Sequence, residues 1–234
     1  MKKRLAVFDF DKTICGFSVD LAGEIETHDI IFADGQIPPD FKELKSWTER
    51  IRYKIKTLNA RNLNKDQVMA IFKQLCERNR TLIEGMQQVI EYLHQDHDII
   101  LLSDNETLTP SVFLARFGLL KYFTHVFARK MEIEQNGQIS FEDMPKTDCP
   151  LGGLFLCKGQ VLMDYIKDKD YEKVSYFGDG SNDFCPATRL TENDRVFPRK
   201  DLALDLKIRE NGDAVQAQVQ SWENGIDLLV YLKE

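Results

Sequence analysis

The sequence has no long hydrophobic run, and this limits the classes of protein it can belong to. No stretch of its 234 residues approaches the ~20 consecutive apolar residues that a membrane-spanning helix needs. The apolar run that follows the basic residues 2–4 ends at Asp9, which is too short for the hydrophobic region of a signal peptide. We therefore expect a soluble, cytoplasmic protein with no membrane partner.

Cysteine is also scarce, and its arrangement argues against a disulfide-stabilised protein. The five cysteines are Cys15, Cys76, Cys149, Cys157 and Cys185. Their odd number and the lack of closely spaced pairs do not form a disulfide framework, and the spacing of a four-cysteine zinc site is missing. Free thiols are the expected state, with a metal site at Cys149 and Cys157 as the remote alternative.

Positive charge is in deficit as well. The chain has 31 Lys and Arg residues against 38 Asp and Glu residues, which gives a formal net charge of -7 at pH 7. Sequence-independent binding of nucleic acid depends on the neutralisation of phosphates by Lys and Arg, so we expect no nucleic-acid partner. The remaining composition, 43% apolar and 29% charged, is that of an ordinary globular protein.

Short apolar runs that end in polar residues predict the strands of a parallel sheet. These runs occupy residues 5–8, 98–102, 124–128, 173–177 and 195–197. Such runs are typical of strands that are buried on both faces. Amphipathic helical patterns lie between them at residues 82–94, 112–117 and 159–167. The alternation predicts an α/β fold, a Rossmann-like, doubly wound parallel sheet with helices on both faces.

Residues 17–80 interrupt this alternation between the first and second predicted strands. They contain three helical patterns, at residues 19–31, 40–58 and 65–78. A crossover between parallel strands needs one helix, so we expect a helical cap domain at 17–80 on a core domain formed by 1–16 and 81–234. A smaller insertion at about 130–157 alternates around Asn136 and Gly137, which predicts a β-hairpin with a tight primed turn.

Acidic and small polar residues recur at the carboxyl ends of the predicted strands. They are Asp9, Asp11, Ser103, Asp104, Asp179 and Asp183. Ligands of open α/β sheets bind at this edge, so we expect these side chains to converge. Gathered carboxylates suit Mg²⁺, and a carboxylate can also attack phosphorus. The pattern therefore predicts a phosphoryl-transfer site for a small phosphorylated metabolite.

Four motifs of the chain resemble those of the haloacid dehalogenase-like superfamily of phosphohydrolases. Residues 9–13 match the DxDxT motif, Ser103 and Lys158 match the second and third motifs, and residues 178–183 match GDGxxD. The helical insertion resembles the type C1 cap of that superfamily. The resemblance implies a Mg²⁺-dependent phosphomonoesterase that works through an aspartyl-phosphate intermediate.

The resemblance also implies a role for each carboxylate of the motifs. Asp9 would be the nucleophile and a Mg²⁺ ligand. Asp11 would be the general acid and base, and its backbone carbonyl would bind the metal. Asp179 would ligate Mg²⁺, and Asp183 would support the metal site.

The remaining motif residues are implied to bind the phosphate group. Ser103 and Lys158 would contact its oxygens, and Asp104 would lie beside them. A degenerate, non-catalytic binding protein on the same scaffold is the alternative, and the complete motif set argues against it.

A closer resemblance is to the phosphoethanolamine/phosphocholine phosphatase family and its pyridoxal-phosphate phosphatase relatives. Its most distinctive part is Asn-Asp-Phe-Cys-Pro at residues 182–186. In that family the positions of Asp20 and Asp104 are associated with an amine-bearing substrate, and Glu24 lies one helical turn after Asp20. Carboxylates would complement an ammonium group.

The match is weakest where substrate choice is decided. Residues 15–20 are less polar than the family pattern. Phosphoserine, pyridoxal 5′-phosphate, thiamine phosphate and sugar phosphates therefore stay open as alternatives to phosphoethanolamine and phosphocholine.

Overall fold

The computed structural model describes residues 3–16, 28–32, 35–78, 81–143, 146–153 and 155–233. Eight strands lie within these residues: β1 (Lys3–Phe8), β2 (His97–Glu106), β3 (Phe123–Arg129), β4 (Met131–Ile133), β5 (Ile139–Phe141), β6 (Tyr171–Gly178), β7 (Arg195–Pro198) and β8 (Gln218–Val219). Six of them form one parallel sheet in the order β3-β2-β1-β6-β7-β8. The five predicted strands are all present in this sheet.

The sheet is covered by helices on both faces, as predicted. After the insertion that follows β1, the chain forms the helices α5 (Met86–Leu93), α6 (Leu108–Arg116), α7 (Lys158–Ile166), α8 (Phe184–Ala187), α9 (Ala203–Glu210) and α10 (Gly225–Lys233). Successive side chains of a strand point to opposite faces. Ala6 and Phe8 of β1 accordingly pack with α5, α6 and α10, whereas Leu5 and Val7 pack with α7, α8 and α9.

The described residues of the insertion between β1 and α5 form four helices. They are α1 (His28–Ile31), α2 (Pro39–Glu43), α3 (Trp47–Ala60) and α4 (Lys65–Glu77). The prediction of one helix over residues 40–58 is wrong, because Ser46 separates α2 from α3. Its hydroxyl accepts the backbone N–H of Glu49 at 3.2 Å, and the Glu49 carboxylate accepts the backbone N–H of Ser46 at 3.1 Å. This reciprocal pair is a strong helix-start signal.

The predicted hairpin is present, but its turn differs from the prediction. β4 and β5 pair antiparallel with Ile133 opposite Ile139. The backbone N–H of Gly137 donates to the Glu134 carbonyl at 3.0 Å, and only Gly137 of the loop has a positive φ, of 85°. A primed turn would need a positive φ at Asn136 too, so the loop is the three-residue type with a glycine bulge.

The hairpin packs against the helical insertion. Met131, Ile133 and Ile139 share one buried apolar cluster with residues of α1–α4. The Asn59 side chain of α3 binds both backbone groups of Ile139, donating to its carbonyl at 3.0 Å and accepting its N–H at 2.8 Å. The hairpin therefore links the insertion to the strand edge that carries the polar residues.

Within the part of the chain that the structure describes, every helix is too short or too polar to cross a bilayer.

Candidate active site

The loop that follows β1 places Asp9 and Asp11 at the carboxyl edge of the sheet. The backbone N–H of Asp9 donates to the carbonyl of Phe177 in β6 at 2.9 Å, and the Phe10 carbonyl accepts N–H groups of Ile14 and Cys15. Phe10 between the two carboxylates is fully buried. The tight loop thus anchors Phe10 in the core and fixes the two acids that flank it.

Lys158 bridges two carboxylates of this edge, Asp9 and Asp183. It is the first residue of α7, and its side chain is 1% exposed. The ammonium group donates to Asp9 Oδ1 at 2.6 Å and to Asp183 Oδ1 at 2.8 Å. Burial lowers the pKa of Lys158, but Asp183 and Asp9 outweigh this effect and raise the pKa above its usual value. Lys158 therefore stays protonated.

Asp183 is completely buried and uses both carboxylate oxygens. Oδ1 accepts from Lys158 and from the Tyr176 hydroxyl at 2.6 Å, whereas Oδ2 accepts the backbone N–H groups of Asp179 at 3.1 Å and Gly180 at 2.9 Å. Four donors on one carboxylate fix both the loop after β6 and the end of the Lys158 side chain. Asp183 is therefore the anchor of this site.

Carboxylate oxygens of Asp9, Asp179 and Asp183 lie within 4.8 Å of one another. Burial raises the pKa of Asp9 well above its ordinary value, and the charges of Asp183 and Asp179 add to this effect while Lys158 opposes it. Burial likewise raises the pKa of Asp179. One lysine does not balance three carboxylates, and hard oxygen ligands with excess negative charge fit a divalent cation such as Mg²⁺.

The side chains near Asp11 differ from those of this acidic cluster. Asn105 Nδ2 donates to Asp11 Oδ2 at 3.4 Å, and Thr13 Oγ1 donates to Asp179 Oδ1 at 3.5 Å. Asp11 thus has a neutral amide neighbour at Oδ2, which helps to orient its carboxyl group. Asp9, in contrast, accepts a hydrogen bond from the Lys158 ammonium group.

β2 brings Ser103 and Asp104 to the same edge of the sheet. The strand continues to Glu106, beyond the predicted end at residue 102. Ser103 Oγ accepts the backbone N–H of Asn105 at 3.1 Å, which leaves the hydroxyl proton available for a donor role. The Asp104 carboxylate accepts a hydrogen bond from Asn182, and burial raises its pKa.

Arg129 is a charged residue of this edge that sequence reasoning missed. It is the last residue of β3, it is 2% exposed, and its guanidinium lies 4.6 Å from the Phe141 ring centroid and 4.8 Å from that of Phe155. Burial lowers its pKa to about 10, although the charge of Asp104 opposes this effect. Its position at the carboxyl end of a predicted strand was the available signal.

Asn105, Tyr176 and Asn182 were also missed as positioning residues. Each contacts a predicted site residue: Asp11, Asp183 and Asp104 respectively. The predicted specificity residues Asp20 and Glu24 lie outside the described residues. Of the nine predicted site residues, the seven others lie in the loops and strand ends at one edge of the sheet.

Comparison with known proteins identifies the family. The model of a family described as Putative Phosphatase matches residues 4–234. The chain belongs to this phosphatase family. The pyridoxal phosphate phosphatase PHOSPHO2 of Bos taurus is 26% identical over 246 residues, covering 99% of this chain and 98% of the relative. The phosphoethanolamine/phosphocholine phosphatase of Gallus gallus is 27% identical over 253 residues, covering 99% and 88%.

Solved structures support the same fold for this phosphatase. A substrate-bound phosphoserine phosphatase matches with a TM-score of 0.55 at 15% identity, with 99% of each chain covered. A Bordetella pertussis protein of unknown function matches with a TM-score of 0.63 at 15% identity, covering 93% of this chain and 99% of its own. These structures confirm the predicted doubly wound fold, and the family match confirms the predicted phosphatase class.

Replacing the anchor carboxylate should destabilise the phosphatase. Asp183→Asn removes the buried negative charge that pairs with Lys158 and replaces one accepting oxygen with an NH2 donor, so we expect a loss of about 3 kcal/mol in the free energy of unfolding. Asp164→Asn is the control, because its carboxylate only accepts from Gln160 on an exposed helix face. Urea denaturation in the presence of chelator measures both. Equal stabilities of the two variants would contradict the anchor role.

Proposed function

We propose that this phosphatase hydrolyses small phosphorylated metabolites with Asp9 as the nucleophile, with the help of Mg²⁺. The observation that carries the proposal is the position of Asp9, buried beside Asp179 and Asp183 with Lys158 2.6 Å from its Oδ1. Burial of a carboxylate among other acids is costly in free energy, and such arrangements mark functional sites. A dead scaffold would have no need to keep this costly cluster complete.

The first chemical step transfers the phosphoryl group to Asp9. A carboxylate oxygen of Asp9 forms a bond to phosphorus while the bond from phosphorus to the alcohol oxygen breaks. Asp11 gives its proton to the departing oxygen, and Asn105 holds the Asp11 carboxyl group in place for this transfer. The products are an aspartyl phosphate at residue 9 and the free alcohol.

The second step regenerates Asp9. Asp11 is now a carboxylate, so it takes a proton from a water molecule that attacks the phosphorus atom. The bond between phosphorus and the Asp9 oxygen breaks, and inorganic phosphate leaves. The same acid therefore serves both steps in opposite protonation states.

The phosphate oxygens need donors and positive charge during both steps. We assign these roles to the Ser103 hydroxyl, whose proton is free of the Asn105 contact, and to Lys158. Asp104 is an acceptor only, and its bond from Asn182 supports a role in positioning the loop after β6 rather than in holding phosphate.

Asp9, Asp179 and the backbone carbonyl of Asp11 are the proposed ligands of Mg²⁺, and Asp183 orients the site through its neighbours. A bound Mg²⁺ supplies the positive charge that offsets the negative phosphoryl oxygens. We favour an indirect role for Asp183, because its two oxygens already accept four hydrogen bonds.

We also propose that residues 17–80 form a C1-type cap domain that closes over the bound substrate and excludes water from the first step. The two chain segments that connect it to the core run side by side. Gly16 donates its N–H to the Thr81 carbonyl at 3.1 Å, and Ile83 donates to the Ile14 carbonyl at 3.0 Å. Adjacent connections of this kind suit a hinge. None of the five cysteines is in a disulfide, which supports a reducing, cytoplasmic location.

For the substrate, phosphoethanolamine or phosphocholine is the first candidate, through the family association of Asp20. Pyridoxal 5′-phosphate is the second. Lys158 and Arg129 supply positive charge near the Asp104 carboxylate and Asn182 donates to it, but burial outweighs these effects and raises its pKa. Asp104 therefore gives neither candidate an advantage.

Removing the nucleophile should abolish the activity. Asn cannot form the acyl phosphate, so we expect Asp9→Asn to lower kcat by about a thousandfold or more in a phosphate-release assay with phosphoethanolamine. The Asp164→Asn variant is the control and should keep the activity of the original chain.

Asp11→Asn provides the second arm of this test. A leaving group that needs no proton, p-nitrophenol, should still be released in the first turnover, whereas the slow second step should block further turnover. Steady release of p-nitrophenol by Asp9→Asn at the original rate would contradict the mechanism.

The acidic cluster should make the stability of the metal-free protein pH-dependent. Folding raises the pKa of Asp9 above its ordinary value of 3.8, so the folded state holds this proton more tightly than the unfolded state. The stability contribution is present below that value and is lost as pH rises through the folded pKa. In chelator, the stability of the original chain should therefore fall with rising pH relative to that of Asp9→Asn.

Mg²⁺ should reverse this loss at neutral pH. At about 100 times its dissociation constant it should add about 2.7 kcal/mol to the free energy of unfolding, and Asp179→Asn should abolish the gain. Asp213→Asn is the exposed control. Urea titrations at several pH values measure both effects, and an equal Mg²⁺ gain in Asp179→Asn would contradict the ligand assignment.

A substrate panel should separate the two specificity candidates. If Asp20 binds an ammonium group, Asp20→Asn should lower kcat/KM for phosphocholine about tenfold while leaving that for a neutral sugar phosphate unchanged. Asp104→Asn should affect all substrates alike, because it acts through the loop that contains Asn182. A uniform effect of Asp20→Asn would remove the amine hypothesis, and a preference for pyridoxal 5′-phosphate would support the second candidate.

A further inference from the structure

Three cysteine sulfurs meet next to the carboxylate cluster. Cys149 lies in the loop before α7, Cys157 is the N-cap residue of α7, and Cys185 is the second residue of α8. The Cys149–Cys185 and Cys157–Cys185 sulfur distances are both 3.5 Å, and all three sulfurs lie within 4.8 Å of one another. Cys185 is the partner that the sequence pattern of Cys149 and Cys157 did not reveal.

The spacing of the sulfurs matches a shared metal ion. Tetrahedral zinc with Zn–S bonds of about 2.3 Å places neighbouring sulfurs about 3.8 Å apart. The observed 3.5 Å is within a few tenths of an ångström of this value. A disulfide would instead require about 2.05 Å between two of the sulfurs and would leave the third one out.

Two glycines allow the three cysteines to come this close. A Cβ atom added at Gly152 would lie 3.2 Å from Cys157 Cα and 3.3 Å from Cys149 Cβ. A Cβ atom added at Gly159 would lie 2.6 Å from Cys185 Sγ. A side chain at Gly159 would therefore displace Cys185, and one at Gly152 would crowd Cys149 and Cys157.

Two donors lie beside the sulfur of Cys157 and would stabilise its thiolate. The backbone N–H of Gln160 donates to Cys157 Sγ at 3.4 Å, and Arg189 Nη2 lies 3.9 Å from the same sulfur. Gln160 also holds Arg189 in place, because its Oε1 accepts from Arg189 Nη1 at 3.0 Å. Three thiolates around a divalent ion carry one net negative charge, which the guanidinium balances.

We propose that Cys149, Cys157 and Cys185 bind one zinc ion, with the fourth position open to solvent or a small ligand. Cys149 is partly exposed and provides the route of entry. Binding replaces the thiol protons, which pass to the solvent. Among the described residues, no other His, Cys, Asp or Glu joins this group.

The zinc site ties together the segments that carry the catalytic side chains. Cys157 precedes Lys158 directly, and Cys185 follows Asp183 by two residues. The loop of Cys149 also reaches Gly153, which packs directly against the Asp104 carboxylate. Bound zinc therefore fixes the positions of these segments relative to one another, on the side away from the substrate. This structural role is independent of the mechanism proposed for Asp9.

Metal content and spectroscopy test the proposal on the full chain. After purification without chelator from zinc-supplemented cells, the protein should contain about one zinc per chain by elemental analysis. Titration of the reduced, metal-free protein with Co²⁺ should produce thiolate-to-metal charge-transfer absorption, which carboxylate ligands do not give. Cys149→Ser and Cys185→Ser should lose both signals. Cys76→Ser, a buried cysteine elsewhere, is the control and should keep both.

Thiol reactivity keeps the test decisive if a variant fails to fold. In the unaltered protein, chelator should expose about three additional thiols to a thiol reagent, and zinc should protect them again. A zinc content below about a tenth per chain with no charge-transfer band on adding Co²⁺ would overturn the proposal. So would zinc that is lost in Asp179→Asn but kept in Cys149→Ser.

Discussion

The buried ammonium group of Lys158 is the interaction on which the site depends. It joins Asp9, at the end of β1, to Asp183, in the loop after β6, through bonds of 2.6 and 2.8 Å. A buried charge that loses its partner destabilises the fold strongly, because it has lost its hydration without a compensating interaction. The position of the nucleophile, the loop after β6 and the start of α7 are therefore coupled to one another.

This coupling explains how a scaffold stabilised by apolar packing carries so much negative charge at one edge. Helices on both faces of the sheet bury residues 5–8 of β1 completely, so the strand holds Asp9 where its pKa is raised. The resulting free-energy cost is offset when a divalent cation binds. Cys157 of the proposed zinc site directly precedes Lys158. Zinc would therefore fix the backbone at Lys158, while Asp9 and Asp183 fix its ammonium group.

The sequence predicted the core of the fold well and the details of the insertion less well. An apolar run that ends in a carboxylate can be recognised from a few consecutive residues. In a parallel sheet the carboxyl ends of such strands lie at one edge, whatever the sequence between the strands. The break at Ser46, the bulge at Gly137 and the meeting of Cys149 with Cys185 depend instead on local capping, backbone conformation and long-range packing. Arg129 was missed because a lone basic residue after a weak strand carries no motif.

The proposed mechanism requires that Asp9 becomes phosphorylated during turnover. The direct measurement is rapid quenching with substrate present, reduction with borohydride and peptide mass spectrometry, because borohydride converts an aspartyl phosphate to homoserine. Homoserine is expected at position 9 in the original chain and in larger amount in Asp11→Asn, whose second step is slow. An unmodified residue 9 under steady turnover, or homoserine at position 11 instead, would contradict it.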